Sequence, residues 1–245
     1  MKRVISFIGF MLFSINSMAQ MTIPKIDMSI GGTSSPNDLV TSLQVLIILT
    51  VLTLAPSIII MTTSFVRIIV VFHFIRQAIG LQSMPPNQII VGLSLILTFF
   101  IMKPAITQIV DNGINPYLNR QISQQEFFKN IGDPLKDFML KQTKEKDLEL
   151  FLEISKTTVP RSRMETPFWI VLPSFVLSEL TRGFEIGILI FIPFIIIDMI
   201  VATVLMSLGM MMLPPVMISM PFKLLLFVMV DGWSLIIESL VKSFN

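Results

Sequence analysis

Residues 207–231 read SLGMMMLPPVMISMPFKLLLFVMVD, an apolar run that contains three consecutive methionines, a Pro-Pro pair and one lysine. Such a run belongs in a membrane or in a tightly packed assembly. Lipid contact requires only bulk apolarity, whereas methionine supplies a flexible, polarizable side chain that conforms to irregular partners. The sequence therefore predicts a deformable apolar loop, with gap-filling core methionines as the alternative. Its tip residues are Met210, Met211 and Met212, and its hinge residues are Gly209, Pro214 and Pro215.

The composition of the chain is typical of a membrane protein. Its 245 residues are 53% hydrophobic and 14% charged, whereas a soluble domain is about 25% charged. The sequence has no cysteine and a single histidine, His73, which excludes disulfides, thiolate metal sites and a histidine-based metal site. We expect no metal and no other cofactor. Nucleic acid is not an expected partner, because no basic stripe with interleaved aromatic residues is present.

The first 19 residues have the pattern of a secretory signal peptide. Lys2 and Arg3 precede an apolar run at residues 4–15, which is too short to span a bilayer, and the sequence SMA ends at Ala19 as a small-x-small cleavage site. We predict cleavage between Ala19 and Gln20, with an uncleaved anchor as the alternative. N-terminal sequencing of membrane-extracted protein should begin at Gln20, and a native N-terminus at the initiator methionine would contradict the prediction.

Residues 20–102 are predicted to form an N-terminal loop and a first apolar helical hairpin. Ser35 is a suitable N-cap, and Pro36 suits the first helical position after it. Residues 39–66 then contain no charged residue over 28 positions, which is long enough to span a bilayer. Pro56 is expected to kink this helix.

The charges that follow this apolar run predict its orientation. Arg67, His73 and Arg76 fall in a short segment before a Pro-Pro pair, and short loops rich in Lys and Arg are normally cytoplasmic. This places the mature N-terminus outside, as a signal peptide requires. Residues 88–102 are expected to return across the membrane and to stop at Lys103.

Residues 103–167 are predicted to form a soluble helical insert outside the membrane, because they hold 10 of the 18 Lys/Arg and 9 of the 16 Asp/Glu residues. Ser123 and Glu126 have the spacing of a capping box, and Asp133-Pro134 predicts the start of a second helix. Long loops translocate despite their lysines. The mixed charges of the insert predict solvent-exposed helix faces with no catalytic role.

Residues 168–245 are predicted to form a C-terminal apolar helical hairpin that carries the methionine loop. Residues 186–222 contain one charge, Asp198, in 37 positions. A straight helix of that length would be about 55 Å long, against about 30 Å of hydrocarbon, so the segment must fold back. Gly183 and Gly187 are four residues apart, a spacing that permits close helix packing.

Asp198 and Lys223 are each alone in one arm of this hairpin, on opposite sides of its turn. Antiparallel arms would bring them to a similar depth, within about 5 Å by helical rise. An unpaired charge at the centre of a membrane helix costs about 2.5–3.5 kcal/mol on insertion scales. We predict that they pair, within one subunit or with a neighbour; the alternative is that one or both face a water-filled vestibule.

The predicted fold class is all-α, with membrane-associated kinked helical hairpins and a helical extracytoplasmic insert. Pro56, Pro193 and Pro221 interrupt the apolar segments, and kinked helices need neighbours to satisfy the freed backbone groups. The pattern therefore favours a subunit packed against other subunits over a free-standing four-helix bundle.

Residues 161–240 closely resemble the FliP family of type III secretion export-gate subunits. The motifs SEL, PFIIID, MSLGMMM, MISMPFKL and DGW occur in this order, and the match spans the C-terminal third of the chain. Glu238 departs from the family pattern, which is expected to have a small residue, often glycine, at that position.

The resemblance implies a complex of several copies, expected to be a pentamer, with FliQ and FliR and with other export-apparatus and basal-body proteins. It implies a multi-pass protein of the bacterial inner membrane at the flagellar basal body, with the insert on the periplasmic side. It further implies that Met210, Met211 and Met212 close a central pore that conducts unfolded export substrates.

Three other functions stay open at this point. An injectisome export-gate subunit is the nearest, although the cleavable signal and the sizeable insert favour the flagellar system. A small-solute transporter would also place Asp198 in a membrane, but it normally shows inverted repeats, and none is found. An intramembrane enzyme is disfavoured because the sequence has no nucleophile-elbow, zinc-protease or phosphate-loop motif. We therefore expect no enzymatic activity.

Overall fold

The computed structural model describes the backbone of residues 36–81, 84–210 and 212–244. The predicted signal peptide with Ala19 and Gln20, the predicted N-cap Ser35, and Met211 lie outside the described residues. The chain divides into two units, Met1–Thr50 and Val51–Asn245. Apart from Ala19 and Gln20, the site residues predicted from the sequence all belong to the second unit.

The described elements are all helical and include no strand, so the all-α prediction is confirmed. A π-helical turn (Val110–Ile114) follows α3, and a 3-10 turn (Arg163–Glu165) precedes α7. The α-helices are α1 (Pro36–Met61), α2 (Phe65–Ala78), α3 (Asn87–Ile109), α4 (Asn115–Leu118), α5 (Gln124–Gln142), α6 (Glu145–Ile154), α7 (Phe168–Ser207), α8 (Pro215–Met229) and α9 (Gly232–Lys242).

Several of these helices are long and apolar enough to cross a membrane. By length and composition there are three such stretches among the described residues, Ser42–Met61, Asn87–Leu118 and Phe168–Ser207. The pair formed by α8 and α9, bent by 65° at the break between them, would add a fourth if it crosses as one span. The prediction of a helical membrane protein agrees with these lengths.

The first apolar run is not one helix, although the sequence predicts a single span over residues 39–66. α1 runs through Pro56 but ends at Met61, and α2 begins at Phe65. The Thr62 hydroxyl donates to the Ile59 carbonyl, and the Thr63 hydroxyl donates to the Ile60 carbonyl, both at 3.1 Å. Hydroxyl side chains that bond nearby carbonyls compete with the helical ladder, and two such threonines in succession stand where this helix ends.

The predicted basic loop after this run is also wrong. Arg67 and Arg76 lie on the helix α2, and Arg67 is completely buried. Only His73 and Arg76 remain at least partly exposed, with 3.3 Å between the Arg76 Nη2 and His73 Nδ1 atoms. Arg67 therefore cannot be counted as a loop charge in an argument about membrane orientation.

α3 continues past the point where the sequence predicts its end. It passes through Lys103 and Pro104 and reaches Ile109, so the predicted start of the insert lies inside a helix. Met102 and Ala105 are both buried on either side of this pair. Because packing continues on both sides, the lysine and the proline do not terminate the helix.

The insert begins its main helix at the predicted capping box. The Ser123 hydroxyl accepts from the Glu126 backbone N–H, and the Ser123 backbone N–H donates to the Glu126 carboxylate at 2.8 Å. This backbone bond and the Ser123 hydroxyl lower the pKa of the exposed Glu126 carboxyl. The second predicted helix start is wrong, because α5 runs through Pro134 without a break.

The insert packs on the first half of α7. The apolar cluster between them consists of Met139, Leu140, Leu148, Leu152, Ile170, Val171 and Phe175. One acidic side chain of the insert, Asp147, is buried rather than solvated, and it accepts a 2.6 Å hydrogen bond from the Ser178 hydroxyl. A second cluster joins α2, α3, α7 and the α8–α9 pair around Ile68, Phe72, Ile75, Leu97, Phe194 and Phe227.

Candidate functional site

The C-terminal hairpin turns at the predicted loop. α7 ends at Ser207, and Gly209 has a φ of +73°, a conformation that favours glycine. The Gly209 N–H donates to the Met206 carbonyl, and the Met210 N–H donates to the Leu205 carbonyl, both at 3.0 Å. This pair of bonds is a Schellman motif, the usual way in which a glycine stops a helix.

The returning arm starts as sharply as the first arm stops. α8 begins at Pro215 with Pro214 in an extended conformation before it, and proline suits the first helical position because its φ is fixed and it lacks an N–H. The loop between the two arms is therefore bounded by a glycine stop and a proline start. The backbone conformations of the glycine and the prolines, rather than side-chain packing, determine where the loop begins and ends.

Met210 and Met212, the two loop methionines that the structure describes, are not packed in the core of the chain. Met212 is 98% exposed and Met210 is 48% exposed, while Met211 lies outside the described residues. The core-packing alternative therefore does not describe the two methionines that can be assessed. Met212 is therefore almost fully accessible at the turn, and Met210 is about half covered by its own chain.

The structure brings Asp198 and Lys223 together across the two arms. The Lys223 Nζ lies 2.6 Å from the Asp198 Oδ2, and the lysine side chain is only 3% exposed. The Ser219 hydroxyl donates to the other carboxylate oxygen. Sequence reasoning missed Ser219, although its position four residues before Lys223 places both on one helix face.

The two glycines of α7 face α2. A Cβ atom on Gly187 would lie 2.5 Å from the ring of Phe74, and one on Gly183 would lie 3.0 Å from a methyl group of Val70. Real Cβ atoms essentially never come closer than 3.0 Å to another atom, so a side chain at Gly187 would force the Phe74 ring or one of the two helices to shift. The glycine spacing permits the close approach of α2, a helix that lies outside the C-terminal hairpin.

Sequence reasoning missed a second ion pair, which is more deeply buried than the first. The Arg67 guanidinium bonds both oxygens of the Glu179 carboxylate, and neither side chain is exposed. Glu179 belongs to the SEL motif and is followed within six positions by Arg182 and Glu185. No local signal in the sequence indicates the pair, because its two members are 112 positions apart.

The described residues form no candidate metal site. They contain no group of three or more His, Cys, Asp or Glu side chains that could hold a metal ion. Glu238, which departs from the family motif, is exposed and forms an ion pair of 2.6 Å with Lys242, one helical turn along α9. The C-terminal hairpin therefore combines flexible methionine side chains at its turn with an ion pair between its two apolar arms.

Comparison with known proteins agrees with this reading of the chain. The model of the FliP family matches residues 48–240. The flagellar biosynthetic protein FliP of Bacillus subtilis is 49% identical over 216 residues, which cover 88% of this chain and 98% of that protein. The FliP proteins of Caulobacter vibrioides and Aquifex aeolicus are each 48% identical, over 99% and 91% of this chain and 90% and 92% of their own lengths. The chain belongs to the FliP family, whose curated relatives are flagellar biosynthetic proteins.

Proposed function

We propose that the chain is a subunit of the flagellar type III protein export gate. Several copies, a pentamer by family resemblance, would assemble with FliQ and FliR at the flagellar basal body in the bacterial inner membrane. The methionine loops of the copies would converge and close a pore that conducts unfolded export substrates. Family membership and the names of the relatives support the flagellar role.

The observation that carries the gate proposal is the exposure of Met210 and Met212 at the turn of the hairpin. A pore wide enough for an unfolded chain must not leak ions when it is idle. Charged residues would attract ions, and rigid residues would not seal an irregular opening. Apolar constrictions block ions by dewetting, and methionine has enough rotatable bonds to seal an opening and then yield to a substrate.

The placement of the loop on α7 suits this role. The first half of α7 packs on the insert, and Lys144 of the insert forms a 2.7 Å ion pair with Glu185. From Glu185 to Ser207 the helix rises about 33 Å at 1.5 Å per residue, about the thickness of a hydrocarbon core. We propose that the insert, residues 103–167, is periplasmic and that the loop lies at the other end of this span.

Deleting the gene should abolish flagellar filament assembly and motility, and the full-length chain supplied in trans should restore both. The protein purified from membranes under native conditions should carry FliQ, FliR and other basal-body proteins, identified by mass spectrometry. Recovery with needle-complex components instead would favour the injectisome alternative. Solute or ion flux catalysed by the purified chain alone, in liposomes without partners, would favour a transporter.

A further inference from the structure

The guanidinium of Arg67 joins elements that are far apart in the sequence. Besides its two bonds to Glu179 on α7, it donates to the Gln142 side-chain oxygen at 2.9 Å, at the last residue of α5 in the insert. Its remaining nitrogen donates to the Ser243 carbonyl at 2.8 Å and to the Ser243 hydroxyl at 3.0 Å. Every nitrogen of the buried guanidinium is thus used, and the partners come from three other segments of the chain.

The turn after α9 closes over this guanidinium. The ring of Phe244 lies 3.7 Å from the Arg67 Cζ atom, within the distance of a cation–π interaction. The Gln142 side-chain N–H donates to the Phe244 carbonyl at 2.9 Å, and the Phe244 ring stacks on Phe138 of α5. Ser243 and Phe244, named here the latch segment, therefore contact both the insert and α2.

The latch segment provides two hydrogen-bond acceptors and an aromatic ring for the buried Arg67 guanidinium. Without it, one guanidinium nitrogen would lose both of its acceptors, and the aromatic cover of the cation would be lost. Gln142 would lose the acceptor of its N–H while its oxygen still accepted from Arg67 and from Arg182, the latter at 2.9 Å. Buried donors without acceptors, and buried charges without compensation, are strongly unfavourable.

We infer that Arg67 and the latch segment form a lock that holds the insert against α2 and α7. The insert docks fully only when the turn after α9 has closed over the guanidinium. Because α7 also carries the methionine loop, the lock fixes the position of the insert relative to the hairpin. The inference concerns contacts within a single copy and does not depend on the proposed gate.

The first test uses the full-length protein extracted in detergent and measures the rate of tryptic cleavage within the insert. Phe244→Ala should speed this cleavage by about tenfold, because cleavage through local opening follows the opening equilibrium. Phe244→Tyr, which keeps the ring, should cleave at the wild-type rate. Phe99→Ala removes an exposed phenylalanine of α3 and serves as the matched control; an equal rate for it and for Phe244→Ala would overturn the inference.

A second pair of variants separates the lock from general stability. Arg67→Met alone should lower the thermal midpoint by about 10 °C, because it leaves Glu179 buried without a partner. Arg67→Met with Glu179→Leu should recover most of that midpoint. Its insert should still be cleaved quickly, because Ser243 has lost the guanidinium that donates to it. If the double variant regains slow cleavage together with its midpoint, the guanidinium is not a lock.

Discussion

Replacing Met210, Met211 and Met212 together by alanine should raise the resting conductance of the assembled complex to small ions by at least about tenfold. Alanine shortens each side chain by three heavy atoms, so the converging tips would leave a wetted gap. Removing about 1.4 kcal/mol from the barrier to ion passage is enough for a tenfold change in rate. The measurement is single-channel or liposome ion flux of the complex, purified with its partners.

The control for this variant lies on the arms of the same hairpin. Met199 and Met229 are also exposed, but they lie away from the tip, so Met199→Ala with Met229→Ala should leave the conductance at the wild-type level. Both complexes must contain the same subunits in the same ratio. If the assembled tip variant stays as ion-tight as the wild type, the loop methionines are packing residues and the gate lies elsewhere.

The hairpin could be predicted from the sequence because its signals are local. The run from residue 186 to residue 222 is longer than a bilayer is thick, and Gly209 and the Pro-Pro pair supply a stop and a start within seven positions. Both signals act through the backbone, since glycine reaches positive φ and proline begins a helix. The capping box at Ser123 could be predicted because it, too, is a local signal that involves residues only three positions apart.

The features that sequence analysis missed depend on contacts between distant segments. Arg67 and Glu179 are 112 positions apart, and no local pattern states that an arginine after an apolar run is buried rather than exposed. The same applies to Asp147, which finds the Ser178 hydroxyl on another helix. Buried charged residues are rare, so a prediction from composition treats each charged side chain as exposed to solvent.

Two of the helix boundaries that were wrong share one cause. Pro104 and Pro134 were expected to end or begin helices, but each lies inside one. A proline costs a helix one hydrogen bond and about 3 kcal/mol, and burial of the flanking apolar residues can offset that cost. The end of α1 was missed for the opposite reason, because threonine hydroxyls ended a helix that its apolarity favoured.

Breaking the pair between Asp198 and Lys223 should impair assembly strongly. The lysine is almost completely buried and lies 2.6 Å from the Asp198 carboxylate, which is 26% exposed. Removal of one partner of a fully buried pair costs about 3–5 kcal/mol, so we expect a cost below that range here. We expect Asp198→Asn and Lys223→Met each to reduce strongly the amount of complex recovered with partner subunits. The thermal midpoint of each variant, in detergent, should fall in parallel.

The double variant decides whether the two charges act as a pair. Asp198→Asn with Lys223→Met should lose less than the sum of the single losses, by a coupling of about 0.5–3 kcal/mol, because neither charge is then left alone in an apolar arm. Glu238 and Lys242 form a pair of the same length on the exposed face of α9, where such pairs contribute little. Glu238→Gln with Lys242→Met should therefore show small and additive effects. Strict additivity at Asp198 and Lys223 as well would mean that each charge serves a separate partner in the assembly.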